Sequence, residues 1–280
     1  FLSICAFWQM YDSVIPLILT KTFHMNETFS GAIMAADNVL ALFLLPFFGA
    51  RSDKTNTKIG KRMPYILFGT GCAVILMNLL PLMDNSYAAA PSGFKTASFV
   101  IVLGLLLIAM GTYRSAAVAL MPDLTPKPLR SHANAIINLM GAVGGILYLA
   151  VAAILYSQKR LAALGLSGAD RLDYQPLFLI VSAIMFVSVG ILFLTIKEPR
   201  LAKESQQLEA QHPEWNLAET DDAGTEVLPK PVRRSLRFLL ASIALWFMGY
   251  NGVTTWFTTY VSQVMGEGLG GASTCLLVAT

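Results

Sequence analysis

The sequence predicts an all-α polytopic membrane protein, and three observations lead to this class. Hydrophobic residues make up 55% of the 280 residues, charged residues only 13%, and the mean hydropathy is +0.59. Apolar runs of about 20 residues, the length that crosses the hydrocarbon of a bilayer as an α-helix, recur along the whole chain. Because lipid offers no hydrogen-bond partners, each run must satisfy its own backbone, which an α-helix does.

Seven of these runs are complete, and an eighth begins near residue 271. They lie near residues 1–20, 31–50, 64–83, 96–120, 133–156, 176–196 and 236–262. Both ends of the sequence fall inside apolar runs, so we expect a fragment of a longer protein.

The polar stretches divide the predicted spans into two groups. Six spans form a predicted bundle at residues 1–196, and a polar linker follows at 197–235. Residues 236–280 are then predicted to start a second bundle, with helix 7 and part of helix 8.

Basic residues predict the orientation in the membrane. Of the 20 Lys and Arg residues, 14 lie in the connectors 51–63, 122–132 and 197–237. Connectors rich in Lys and Arg remain in the cytoplasm. We therefore expect a multi-pass protein of the cell membrane whose N-terminus and central linker are cytoplasmic.

Neither a metal site nor a catalytic motif is predicted. The three cysteines have no CxxC spacing, the three histidines are far apart in the sequence, and no HExxH motif occurs. We expect no cofactor, no nucleic-acid partner and no enzymatic activity.

Three charged side chains lie within the predicted spans, namely Asp12, Asp37 and Arg114. Each costs about 2.5 to 3.5 kcal/mol at the centre of a membrane helix, so we expect them to be sheltered around a central aqueous pathway. Asp12 and Asp37 lie roughly 13 Å into their helices, at similar depth. An ion pair that fixes helix register is the alternative for Arg114, and local bonding to Asn38 is the alternative for Asp37.

Uncharged polar residues extend this layer. Asn134 and Asn138 lie one turn apart in the fifth span, near the level of Arg114, and amides of this kind also join helices. In the seventh span, Tyr250 and Asn251 lie among aromatic residues, which suits sugars but also interhelical packing. The predicted substrate-binding residues are Asp12, Arg114, Asn138, Tyr250 and Asn251.

A short internal similarity indicates a parallel repeat. The stretch WQMYDSV at 8–14 resembles WFMGYNGV at 246–253 with one insertion, which places Asp12 opposite Asn251. The similarity is consistent with a duplication of the bundle.

Two stretches carry a resemblance to a known family. GARSDKTNTKIGKRMPY at 49–65 resembles the helix 2 to 3 signature of the major facilitator superfamily, with the longer spacing of its glycoside-pentoside-hexuronide cation symporters and plant sucrose-proton symporters. YRSAAVALMPDLTPKPLRSHANAIINLMGAVGG at 113–145 is similar to the helix 4 to 5 region of sucrose-symporter-like bacterial proteins. The resemblance implies a major-facilitator-type six-helix bundle plus the start of a second bundle.

The resemblance also implies roles for individual residues. The 49–65 stretch would gate the cytoplasmic side through charge-assisted bonds that break in one conformation, although its basic residues also suffice to fix topology. The predicted gating residues are Gly49, Asp53, Lys54, Lys61 and Arg62.

The melibiose-permease branch holds sodium with two carboxylates in helix 2, and the matching positions here are Ala41 and Leu45. A proton carried by Asp12 or Asp37 is therefore the expected coupling ion, because burial favours the protonated form of a carboxyl group. Asp12 also corresponds to a sugar ligand of that branch, whereas Arg114 lies in the region of the branch's helix 4 acid.

These observations predict a secondary active transporter that takes up a sugar or glycoside with protons by alternating access, as a monomer in the lipid bilayer. A major-facilitator exporter of drugs or metabolites is the alternative within the same class. A seven-helix receptor or an intramembrane enzyme is the alternative from other classes.

Overall fold

The computed structural model describes residues 1–166, 171–212, 215 and 230–279. These residues form helices joined by short connectors. The helices are α1 (Leu2–Leu17), α2 (Glu27–Asp53), α3 (Met63–Ala89), α4 (Gly93–Leu124), α5 (Arg130–Leu155), α6 (Gln158–Ala163), α7 (Gln175–Thr195), α8 (Glu198–Gln211), α9 (Lys230–Val264) and α10 (Leu269–Ala279). A π-helical turn, Ile18–Thr22, extends α1, and a 3₁₀ turn, Lys127–Leu129, precedes α5.

Seven helical segments in the described part of the chain are long and apolar enough to cross a membrane. They contain α1, α2, α3, α4, α5, α7 and α9, and the shorter apolar helix α10 follows them. The only β-type pairing among the described residues is a single bridge between Thr57 and Gly60. The predicted class, an all-α polytopic membrane protein, is confirmed.

Local sequence signals explain where several helices begin. Asn26 caps α2, because its side chain accepts a hydrogen bond from the Thr28 amide at 3.0 Å. Ser157 caps α6 in the same way. Pro64 lies in the first turn of α3, where a missing amide proton costs nothing.

The core of the bundle is built around α1. In the most apolar stretch of α1 and its π turn, 72% of the residues are buried. The buried share of the corresponding stretch is 6% in α2 and zero in α9. Helix α1 packs against α5, α7 and α9 and buries large side chains such as Phe7, Met10 and Tyr11. Helix α1 is therefore the central element of the described bundle, whereas α2 and α9 leave most of their surfaces uncovered.

An ion pair that the sequence did not predict joins the last part of α3 to the segment before α7. Arg171, which precedes α7, donates to the Asp84 carboxylate of α3 at 2.7 Å and to Asn85 at 2.5 Å. Asp84 is fully buried. A buried carboxylate needs such a partner, so the pair connects the segment before α7 to α3.

The predicted linker at 197–235 is partly helical. Helix α8 occupies its first part, and α9 begins at Lys230 rather than near residue 236. The sequence of α8 is rich in Ala, Glu, Gln, Lys and Leu, which favour helix. Most of the acidic stretch of the predicted linker lies outside the described residues.

Helices α3 and α4 approach each other closely at a glycine. A Cβ atom on Gly69 would lie 2.8 Å from the Tyr113 nitrogen and 3.0 Å from the Ala109 oxygen, both backbone atoms of α4. Backbone atoms cannot move aside as the end of a side chain can. Only glycine therefore permits this spacing between the two helices.

We expect Gly69→Ala to lower the free energy of unfolding by about 1 to 3 kcal/mol, because the added methyl group overpacks the α3–α4 contact. Thermal unfolding of the purified protein measures the change. Gly71→Ala is the matched control, since a Cβ at Gly71 meets no atom within 4 Å and alanine favours helix. Equal destabilisation by both substitutions would contradict the close approach.

Candidate functional site

Arg114 is positioned by its two neighbours in α4. The Tyr113 hydroxyl and the Ser3 hydroxyl of α1 are 2.8 Å apart in a hydrogen bond. Ser115 donates to the Leu45 carbonyl of α2 at 2.9 Å. The residues on either side of Arg114 therefore bind α1 and α2, and Arg114 lies where the three helices meet.

A small cavity lies at this junction. Its lining includes Trp8, Asp37 and Arg114, and its volume is about 20 Å³, enough for roughly one water molecule. The Arg114 guanidinium carbon lies 5.8 Å from the centre of the Trp8 ring, within the range of a cation–π interaction. The Trp8 indole nitrogen is buried and has no hydrogen-bond partner among the described residues. The cavity thus combines an anion, a cation and an aromatic ring.

Only one of the two oxygens of the Asp37 carboxylate accepts hydrogen bonds from the described residues. Its Oδ1 accepts hydrogen bonds from the amide and the side chain of Asn38, at 2.6 and 2.8 Å. The described residues supply no hydrogen bond to Oδ2. Both bonds match the local bonding to Asn38 that was one alternative for this residue, and they leave one oxygen free for a proton or a ligand.

Asp12 and Arg114 both lie within electrostatic range of Asp37. Asp12 is partly buried on α1. Arg114 is exposed and makes no ion pair within the described part of the chain. The structure therefore brings Asp37 and Arg114 to one cavity, without the direct ion pair considered for Arg114. Asp12 does not line this cavity.

The structure does not bring the other predicted binding residues into this cavity. Asn134 and Asn138 are exposed on the first half of α5. Tyr250 and Asn251 are exposed on α9, where the Tyr250 ring stacks on Trp246 with centroids 5.6 Å apart. No contact in the described chain tests their predicted role.

The cavity wall also contains Ala41 and Leu45, the two positions that correspond to sodium-binding carboxylates in the melibiose-permease branch. Both side chains are apolar. Within the described residues, no group of three His, Cys, Asp or Glu side chains is arranged to hold a metal ion.

A second polar cluster lies at the end of the bundle where α2 ends and α3 begins. Arg62 is only 5% exposed. Its guanidinium donates to the Asp123 carboxylate at 2.9 Å and to the Gly49 carbonyl at 3.2 Å. It also donates to Ser52 and to the Asp53 carboxylate. Arg62 thus connects the end of α2 to the end of α4.

The other predicted gating residues surround this arginine. Lys61 forms an ion pair with Asp123 at 3.1 Å. Lys54 is exposed and lines a surface groove with Arg51 and Tyr65. A Cβ on Gly49 would lie 3.5 Å from the Ser115 hydroxyl, so Gly49 lies in the α2–α4 contact.

Glu198 of α8 completes the cluster and was missed in the sequence. Its carboxylate is 2% exposed and accepts hydrogen bonds from the amides of Lys61, Arg62 and Met63 at 2.8 to 3.2 Å. These amides open α3, where a negative charge is favourable. The carboxylate also fills the space beside Gly60, whose φ of +120° favours glycine. The Glu-Pro pair marks the start of α8 in the sequence, but it does not reveal the contact of Glu198 with α3.

The fold and these two clusters define a polytopic α-helical membrane protein with a charged cavity between its helices. The chain belongs to the Major Facilitator Superfamily, whose family profile matches residues 1–280. The family resemblance seen at 49–65 and 113–145 is thereby confirmed.

Individual relatives agree with this assignment. Over 152 residues the chain is 32% identical to "Sucrose transport protein SUC3" of Arabidopsis thaliana, an alignment that covers 50% of this chain and 25% of that protein. It is 32% identical over 154 residues to "Sucrose transport protein SUT3" of Oryza sativa subsp. indica, covering 50% and 30%. It is 34% identical over 95 residues to "Putative transporter YdfJ" of Escherichia coli (strain K12), covering 32% and 21%. No solved structure matches the chain.

We expect Glu198→Ala to lower the free energy of unfolding by about 2 to 4 kcal/mol, because it leaves three buried amides without their acceptor. Thermal unfolding measures the loss, and hydrogen exchange at residues 61–63 should become faster. Glu204→Ala is the control, since Glu204 pairs with Arg200 on the surface of the same helix, a contact of little net value. Unchanged exchange at 61–63 would contradict the capping role.

Proposed function

We propose that the protein is a secondary active transporter that takes up a sugar or glycoside together with protons by alternating access. The junction of α1, α2 and α4 carries this proposal, because it places the Arg114 guanidinium and the Trp8 indole ring beside the proposed proton-carrying carboxylate of Asp37 in the membrane-spanning region. The space enclosed there is the size of one water molecule, so the sugar is proposed to lie in the wider central space that this junction borders. Sugar recognition needs donors and acceptors for hydroxyl groups and an aromatic face for the ring. The names of the plant relatives support the same substrate class.

Proton coupling is assigned to Asp37 and Asp12. The described residues donate hydrogen bonds to only one oxygen of Asp37, and Asp37 lies within electrostatic range of Arg114 and Asp12. The protonation of a carboxyl group depends on the charges near it. A substrate that moves Asp12 or Arg114 away from Asp37 would therefore change the protonation of Asp37. The apolar residues at positions 41 and 45 favour a proton over sodium.

Within this proposal, Asp12 and Arg114 are the sugar-binding residues of the bundle formed by the first six membrane spans. Asn138 on α5 and Tyr250 and Asn251 on α9 complete the site only when α5 and α9 face a common central space. The Lys- and Arg-rich connectors support a cytoplasmic position for the Arg62 cluster.

We expect the full-length protein to accumulate labelled sucrose in vesicles when a pH gradient is imposed, and a proton ionophore should abolish the accumulation. Asp37→Asn should remove gradient-driven accumulation while sucrose exchange across the membrane persists, since the coupling proton is lost but the binding groups remain. Glu204→Gln, at an exposed surface acid, is the control. If vesicles loaded with sucrose released it into sucrose-free buffer but took up none from outside, the result would favour the exporter instead.

Substrate binding is tested separately at Arg114. We expect Arg114→Gln to weaken sucrose binding by about 10-fold or more, as a charge-assisted hydrogen bond is worth about 1.5 to 3 kcal/mol. Binding of labelled sucrose to the purified protein measures this, with Lys203→Gln on the exposed face of α8 as the control. Unchanged affinity would remove Arg114 from the proposed site.

The Arg62 cluster is proposed as the cytoplasmic gate, which holds the ends of α2, α3 and α4 together in one conformation. We expect Asp53→Asn to increase cytoplasmic accessibility of the central space by about fivefold or more. The measurement is the labelling rate of an Asn138→Cys variant with a membrane-impermeant maleimide. Lys159→Gln, away from the cluster, is the control, and an unchanged rate in Asp53→Asn would contradict the gate.

A further inference from the structure

An apolar groove runs along the outer surface of the bundle between α3 and α7. It has a volume of about 460 Å³ and is lined by residues of both helices, including Leu67, Gly71, Gly190 and Phe193. The two glycines open the groove, because a Cβ at either position would meet no atom within 4 Å. Phe186 at its edge is 74% exposed. The groove shares no lining residue with the cavity at Arg114.

A basic pocket continues the groove at the end of the bundle that carries the Arg62 cluster. This pocket has a volume of about 370 Å³, and Lys58, Lys197 and Arg200 contribute to its lining. Phe193 lines both spaces. Met63 lines the pocket and lies one helical turn from Leu67 in the groove.

The charges of this pocket are mostly uncompensated. Lys58 and Lys197 are exposed and have no ion pair within the described residues. Arg200 pairs with Glu204 on the surface at 2.7 Å. The nearby carboxylate of Glu198 is buried against three backbone amides. The pocket therefore presents a positive surface to an anion.

The dimensions fit a lipid of one leaflet. The groove follows α3 from Leu67 to Ile75 for roughly 12 Å, and the hydrocarbon of one leaflet is about 15 Å thick. An isolated anion would use only the basic pocket, and a neutral apolar ligand only the groove. Basic pockets between membrane helices suit the headgroups of anionic lipids.

We propose that the groove between α3 and α7 binds one anionic phospholipid. Its acyl chain lies along Gly71 and Gly190, and its headgroup phosphate lies among Lys58, Lys197 and Arg200. The lipid is an external ligand of the bundle and takes no part in the proposed sugar site.

The test compares phosphatidylglycerol with phosphatidylcholine of the same acyl chains, bound to the purified full-length protein and counted by native mass spectrometry. We expect phosphatidylglycerol to bind about tenfold more tightly to the wild-type protein, since each basic residue near a headgroup contributes about 1 kcal/mol. Lys58→Gln combined with Lys197→Gln should remove this preference. The control combines Lys159→Gln with Lys203→Gln, two exposed lysines outside the pocket, and should keep it.

A second arm tests the groove itself. Gly190→Phe should reduce the binding of both lipids, and Gly190→Ala should leave the binding nearly unchanged, because a single Cβ has room there. Inorganic phosphate at millimolar concentration should not displace phosphatidylglycerol. The proposal is overturned if the control pair loses the preference equally, if Gly190→Phe binds phosphatidylglycerol as the wild type does, or if free phosphate competes.

Discussion

Hydrocarbon provides neither hydrogen-bond partners nor counter-charges, and this constraint determines the arrangement of the polar groups in the structure. Arg114 lies where α1, α2 and α4 meet, beside Trp8 and Asp37. Arg62 is surrounded by acceptors from α2 and α4. Arg62 and the neighbours of Arg114 are thus held by contacts between helices, so polar groups also help to specify how the helices assemble.

The two polar clusters share the same pair of helices. Helix α2 carries Asp37 in the cavity and Asp53 beside Arg62, about 24 Å apart along the helix axis. Helix α4 carries Arg114 and Asp123, about 13 Å apart, and Ser115 binds the α2 backbone between the two levels. A tilt of α2 relative to α4 would therefore disturb both clusters together. This shared pair gives a physical route by which occupancy of the cavity and the state of the charge cluster influence each other.

The helices, their approximate bounds and the three charges within the spans were predictable, because hydrophobic run length and the cost of charge in lipid are local properties of the sequence. The partner of the α3 amides was not. Glu198 is more than 130 positions away from Lys61 and Arg62, and no periodicity reveals such a contact. Tyr113 and Ser115 were likewise read only as part of a family resemblance, since their role depends on which helices α4 touches. Asn138 was predicted at the level of Arg114 and Asn251 opposite Asp12, but their positions in the bundle depend on helix packing that hydropathy does not specify.

Helix α8 is attached to the bundle at both of its ends. Glu198 binds the start of α3, and Glu209, about 16 Å further along the helix, accepts from the Lys127 amide and pairs with Arg130 at the start of α5. Lys203 is exposed between these anchors. A spin label there would therefore move together with the bundle formed by the first six membrane spans. Distances measured from such a reporter to a label elsewhere in the protein would then record rotation of the bundle as a whole.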